Sequence, residues 1–138
     1  MRFMIIVKAT KDSEAGVMPK ETLFAEMADY HEKLARAGML LDASGLQPSA
    51  KGWRIDYNGA QRSMTDGPFT ETKELIAGYT LIQAKSREEA LEWTRRFPNP
   101  AVNGCVAQIE VRQLFELEDF EPSAAIERFR DMDVRAKR

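Results

Sequence analysis

Strand-like and helix-like segments follow one another in the order strand, helix, strand, hairpin, strand, helix, strand, which predicts one α+β domain with a βαββαβ core. Two observations carry that expectation. An apolar, β-branched run opens the chain at Phe3–Val7 and is followed by an amphipathic stretch from Leu23 to Leu34, and the same pair of signals recurs at Leu75–Ala84 and Ala90–Phe97. The length of 138 residues, with 43% hydrophobic and 30% charged residues, suits a single core rather than two. We place the core domain at residues 1–121 and a peripheral helix and tail at 122–138.

Residues 1–9 have the composition of a buried strand, and Lys11, Asp12, Ser13, Glu14 and Gly16 punctuate it as a loop. Pro19 suits a first helical turn; Leu23, Met27, Tyr30 and Leu34 then recur at helical spacing until Gly38 offers a stop. Met39–Leu41 reads as a short strand broken into a loop by Asp42, Ser44, Gly45 and Pro48. Trp53, Ile55 and Tyr57 alternate with Arg54 and Asp56 up to the turn signal Asn58-Gly59, and a return strand follows near Gln61–Met64, making a hairpin inserted into or extending the sheet. Ser86-Arg87-Glu88-Glu89 is a capping box launching a helix that turns Ala90, Trp93 and Phe97 inward and stops at Pro98 and Pro100. Cys105–Phe115 is the last strand, and Ser123 begins a peripheral helix over Ala124–Met132. Trp53, Trp93, Phe97 and the methionines fall at spacings that suit packing.

Right-handed crossovers would fold these units into a ferredoxin-like sheet with both helices on one face. Strand one, however, is apolar on both sides, with Phe3, Ile5 and Val7 on one and Met4 and Ile6 on the other, and Ile76, Tyr79, Leu81 and Ile82 repeat the pattern. Doubly apolar strands need a second cover. A homodimer packing sheet on sheet supplies it; the alternative is that the hairpin and the C-terminal segment fold back over that face.

Twenty basic and twenty-two acidic residues give a net charge of −2, which provides no positive field for a nucleic-acid backbone. The single cysteine, Cys105, excludes an intrachain disulfide framework and fits a cytoplasmic setting. The N-terminal apolar run is too short for a membrane span and lacks a signal-peptide cleavage region. One histidine and scattered carboxylates are a weak inventory for a metal, so no metal and no cofactor are expected; acidic Glu116–Glu121 reads as a solvated linker. No phosphate-binding loop is present.

The stretch Asp66-Gly67-Pro68-Phe69-Thr70-Glu71-Thr72-Lys73-Glu74, followed by Ile76-Ala77-Gly78, resembles the DGPF signature of YCII-related (YciI-like) proteins. The Met1–Val7 strand, Gly38, Glu110-Val111-Arg112 and Glu118-Asp119-Phe120 stand where that family would place them. The resemblance implies a ferredoxin-like fold assembled as a dimeric α/β barrel, and a small enzyme without an assigned substrate. It also implies a histidine on the first helix, paired with an aspartate before a proline after the second helix, lining a pocket near the dimer interface. His31 matches the histidine, whereas Asn99-Pro100 stands in place of the aspartate–proline pair, so a literal His–Asp dyad does not carry over.

His31 lies about 60° from the centre of the apolar stripe, at the edge of the buried face, and Ala28 and Ala35 beside it leave space. An imidazole there could exchange a proton near neutral pH once an acceptor fixes its tautomer, and Asp42 and Asp66 are the candidate partners. The plainer alternative is a boundary histidine bonded to backbone. Asp66 before Gly67-Pro68 could equally cap a turn. Phe69, Asn99 and Arg54 are candidate substrate contacts, although strand alternation sets Arg54 and Tyr57 on opposite faces. Two functions remain open: a cofactor-free enzyme using His31 as acid or base on a small polar organic molecule, or a non-catalytic binding or regulatory module.

Overall fold

A computed structural model describes residues 1–133, so the end of the expected C-terminal tail, residues 134–138, lies outside the described residues. The elements run β1 (Arg2–Lys8), α1 (Lys11–Glu14), α2 (Glu21–Arg36), β2 (Leu40–Gly45), β3 (Trp53–Asn58), β4 (Gln61–Asp66), β5 (Ile76–Gln83), α3 (Arg87–Thr94), β6 (Ile109–Gln113) and α4 (Ala124–Met132). Four strands form one sheet in the order β2-β5-β1-β6, every neighbouring pair antiparallel. β1 and β2 are therefore parallel to each other with β5 between them. β3 and β4 form a separate two-stranded sheet, and neither sheet closes into a barrel within the chain.

The α+β class holds, with corrections at four boundaries. The segment after β1 is not a plain loop: Thr10 caps a single helical turn, its hydroxyl accepting from the Ser13 amide while the Ser13 hydroxyl accepts from the Thr10 amide. β2 continues to Gly45, because Asp42, Ser44 and Gly45 are held by pairing to β5 despite their poor strand propensity. β6 starts only at Ile109, since Asn99 and Gly104 tie residues 99–105 into a loop. The hairpin's two-residue connection is Gly59-Ala60 rather than Asn58-Gly59; Asn58 still pairs with Gln61, and Gly59 takes the positive φ.

α2 ends in a Schellman motif, with Met39 N–H bonded to Leu34 C=O at 2.9 Å and Gly38 N–H to Ala35 C=O at 3.0 Å. Gly38, at φ 73°, makes that reversal possible and drops Met39 onto Leu34 in the core. Phe3 and Ile5 of β1, Ile82 of β5, Tyr30 and Leu34 of α2 and Ala90 of α3 form one buried cluster, so both long helices cover the same sheet face. Ile5, Leu34 and Ile82 are fully enclosed, each such side chain contributing about 1.5–3 kcal/mol.

The opposite face carries Met4, Ile6, Tyr79 and Leu81, none of them fully buried. β6 edges that face with Glu110 and Arg112, which form an ion pair at 3.2 Å. Trp53 and Met64, expected in packing, are instead exposed on the hairpin. Among the described residues no helix is long and apolar enough to cross a membrane.

The Asp66–Phe69 turn is clamped to a 3-10 turn at Ser49–Lys51. Gly67 N–H bonds Gly52 C=O at 2.9 Å, Phe69 N–H bonds Ser49 Oγ at 3.0 Å, and the Glu14 carboxylate accepts from both the Ser49 amide and hydroxyl. The Gly67–Pro68 peptide is cis. A Cβ on Gly67 would overlap the Ser49 carbonyl, so the motif's glycine is required by backbone contact rather than by φ. Gly67→Ala should therefore lower stability by about 1–3 kcal/mol, seen as a drop in urea midpoint. An unchanged midpoint would mean the turn can move off Ser49 at little cost.

Candidate functional site

His31 sits one residue after buried Tyr30 on α2, and its half-buried ring reaches the sheet. Nδ1 lies 2.7 Å from the Met27 carbonyl oxygen and Nε2 lies 2.8 Å from Thr80 Oγ1. A carbonyl only accepts, so Nδ1 carries the hydrogen; in the neutral ring Nε2 is then the basic nitrogen and accepts the Thr80 hydroxyl. The tautomer-fixing acceptor is thus a backbone carbonyl one helical turn earlier, not Asp42 or Asp66. Phe97 and Tyr30 stand edge-on to the imidazole, with ring centroids 6.1 and 5.7 Å away. These rings take up part of the space that Ala28 and Ala35 leave.

Thr80 is 2% exposed on the core-facing side of β5, beside Ile5. A hydroxyl buried without a partner would cost several kcal/mol, and His31 is its partner. Sequence reasoning missed Thr80. The available signal was its parity with Ile82 in an otherwise apolar strand, which demands a polar partner from the helix above.

A bulge at Leu41 determines where Asp42 goes. Leu40 pairs with Ile82 and Asp42 with Leu81, a one-residue shift; unbroken pairing would have set Asp42 opposite Thr80, on the side of His31. Asp42 instead lies on the open face, where it accepts from Tyr79 Oη at 3.0 Å and from the Ala43 amide at 2.8 Å. His31 and Asp42 are on opposite sides of the sheet.

The remaining candidates divide between two places. Asp66 ends β4, is exposed and pairs across the hairpin with Trp53. Arg54 and Phe69 do come together, the guanidinium lying 3.8 Å from the ring centroid, an exposed cation–π contact that ties one hairpin face to the Asp66–Phe69 turn. Asn99 is committed to its own loop: its side chain accepts from the Ala101 amide and donates to the Gly104 and Cys105 carbonyls. An asparagine supplies both acceptor and donors there, which an aspartate could not.

A groove of about 370 Å³ lies on the outer side of α2 and α3, lined by Glu26, Asp29, Tyr30, Lys33, Trp93 and Arg96. His31 is not part of it. Among the described residues no three His, Cys, Asp or Glu side chains converge as metal ligands.

Tyr30, 6% exposed, donates its hydroxyl to the Trp93 carbonyl at 2.7 Å and thereby joins α2 to α3. Burial pushes its pKa up to about 12, an effect only partly offset by the Arg96 charge. The unfolded chain ionises this phenol near its ordinary value of about 10, before the folded chain does. Its contribution is therefore complete below pH ~10 and is lost as pH rises towards ~12. Stability should fall by on the order of 1 kcal/mol across that window, and Tyr30→Phe should remove this part of the alkaline slope in pH-dependent urea unfolding.

Residues 1–115 match the model of the YCII-related domain. An uncharacterised protein of Rhizobium meliloti (strain 1021) is 31% identical over 94 residues, which cover 68% of this chain and 74% of the relative. The matched segment spans β1 to β6 and includes His31, Thr80 and the clamped Asp66–Phe69 turn, while α4 lies beyond it. The chain belongs to the YCII-related domain family.

Proposed function

We propose that this protein is a small enzyme in which His31 exchanges a proton with a small polar organic molecule, Nε2 being the reacting nitrogen. The observation that carries the reading is the Nδ1–H bond to Met27, which fixes the ring with Nε2 basic and aimed at a hydroxyl. In this scheme an acidic group of the substrate takes the position of Thr80 Oγ1 at Nε2, and Thr80 returns to the imidazole when product leaves. Phe97 and Tyr30 would hold the ring plane through the exchange. The scheme needs no cofactor.

The strand order supports a ferredoxin-like assignment, and the open apolar face supports a second copy packed sheet on sheet, as in a dimeric barrel. Asp42 and Tyr79 would then be enclosed between the two sheets, a hydrogen-bonded polar pair in an apolar chamber. Leu81→Asp should break that contact and lower the assembly order in sedimentation velocity; an unchanged mass would remove the sheet-on-sheet dimer.

A second reading, a non-catalytic binding module, is favoured by one fact: Nε2 is already occupied by a buried hydroxyl. One experiment separates the two. Because His31 is the only histidine, its ¹⁵N resonances can be followed without ambiguity while a panel of small organic acids is added. The enzyme reading expects the Nδ1–H tautomer at neutral pH, a compound that perturbs Nε2, and turnover of that compound that falls about a hundredfold or more in His31→Gln. Perturbation without turnover selects the binding module. No perturbation at Nε2 by any compound that binds elsewhere would remove His31 from the site.

A further inference from the structure

The two-stranded sheet β3–β4 has two unlike faces. One face is tied down, since Arg54 stacks on Phe69. The other presents three cross-strand pairs in sequence: Trp53 with Asp66, Ile55 with Met64, and Tyr57 with Arg62. Its apolar side chains are strongly exposed, at 60% for Trp53, 41% for Ile55, 63% for Tyr57 and 67% for Met64. A two-stranded hairpin with an uncovered apolar face is marginal in water and calls for a cover.

The charges on this face identify the cover. Asp66 stands at the Trp53 end and Arg62 at the Tyr57 end, with the Ile55–Met64 pair between them. Neither charge has an ion-pair partner among the described residues; Arg62 only lies against Tyr57, 5.0 Å from the ring centroid. A patch that is negative at one end, positive at the other and apolar in the middle is complementary to itself after a two-fold rotation. We propose that this face is a contact surface for a second copy of the same chain. The two hairpins pack face to face, Met64 and Ile55 meet their symmetry equivalents at the axis, and Asp66 of each copy meets Arg62 of the other.

This contact is independent of the sheet-on-sheet packing proposed above, because it uses β3 and β4 and none of the four strands of the larger sheet. A chain with both contacts assembles beyond a dimer. A chain with the hairpin contact alone is a two-fold dimer.

The test is sedimentation velocity of the full chain over a wide concentration range, comparing wild type with Met64→Asp, Arg62→Asp, Asp66→Arg and the double Arg62→Asp/Asp66→Arg. All these positions are exposed, so circular dichroism should report an unchanged fold. Met64→Asp and each single charge change should weaken association about tenfold or more, by placing like charges or a buried charge at the contact. The double variant should recover most of the wild-type affinity, because the swapped charges again meet as opposites. Leu81→Asp should leave the hairpin contact in place, so it remains at least dimeric even where the sheet contact is lost. A wild type that is monomeric throughout, a mass unaffected by Met64→Asp, or a double variant as weak as the singles would each overturn the proposal.

Discussion

β5 lies between β1 and β2, and its register against both commits each of its side chains to one of two environments. Thr80 and Ile82 face the helices; Tyr79 and Leu81 face the open side. Because side chains alternate strictly along a strand, a slip of one residue would exchange the two sets and bury Tyr79 under α2. The pairing of Phe3 with Ile82 and Ile5 with Thr80 prevents that slip, since both apolar partners belong to the core. Everything proposed for His31 rests on this register, because it is what brings a hydroxyl beneath the imidazole.

The same register explains why the chain is polar and apolar in unexpected places. The buried cluster lies on one face of the larger sheet, while the apolar residues of its other face are only partly buried and those of β3–β4 are exposed. Burying such surfaces is the dominant favourable term available to a protein of this size, and leaving them in water forgoes it. The two contacts proposed between copies would cover what the fold leaves uncovered. The clamp of Glu14 on Ser49, and of Ser49 on Phe69, holds the base of the hairpin so that the Trp53 face is presented outward rather than collapsing onto the body.

Most of the architecture was legible because it is written in periodicity. The stripe Leu23, Met27, Tyr30 and Leu34, the alternation through Trp53, Ile55 and Tyr57, and the stop at Gly38 each reflect a local rule that the tertiary structure does not override, whereas α3 ends at Thr94, ahead of the stop expected at Pro98. The site was less legible. A β-bulge leaves almost no trace in sequence, and the one at Leu41 reverses the side on which Asp42 emerges. A backbone carbonyl is likewise present at every residue, so nothing marks Met27 as the acceptor for His31. Thr80 was readable in principle, from parity alone, and the hairpin's exposure was not, because alternation cannot distinguish a face packed in the core from one left for another chain.

The pairing of His31 with Thr80 satisfies a structural need, and the proposed chemistry would draw on the same two atoms. Thr80 must have a partner because it is buried; an asparagine or glutamine on α2 could supply one. A histidine held by Met27 supplies something those amides cannot, a basic ring nitrogen with a lone pair while the other nitrogen stays committed to the backbone. The ring is oriented by the helix and by flanking aromatics, so a proton gained at Nε2 meets no competing rotation. In the proposed scheme Thr80 holds Nε2 only while no substrate is bound: its hydroxyl donates to the neutral ring, and it yields that nitrogen when an acidic group of the substrate arrives.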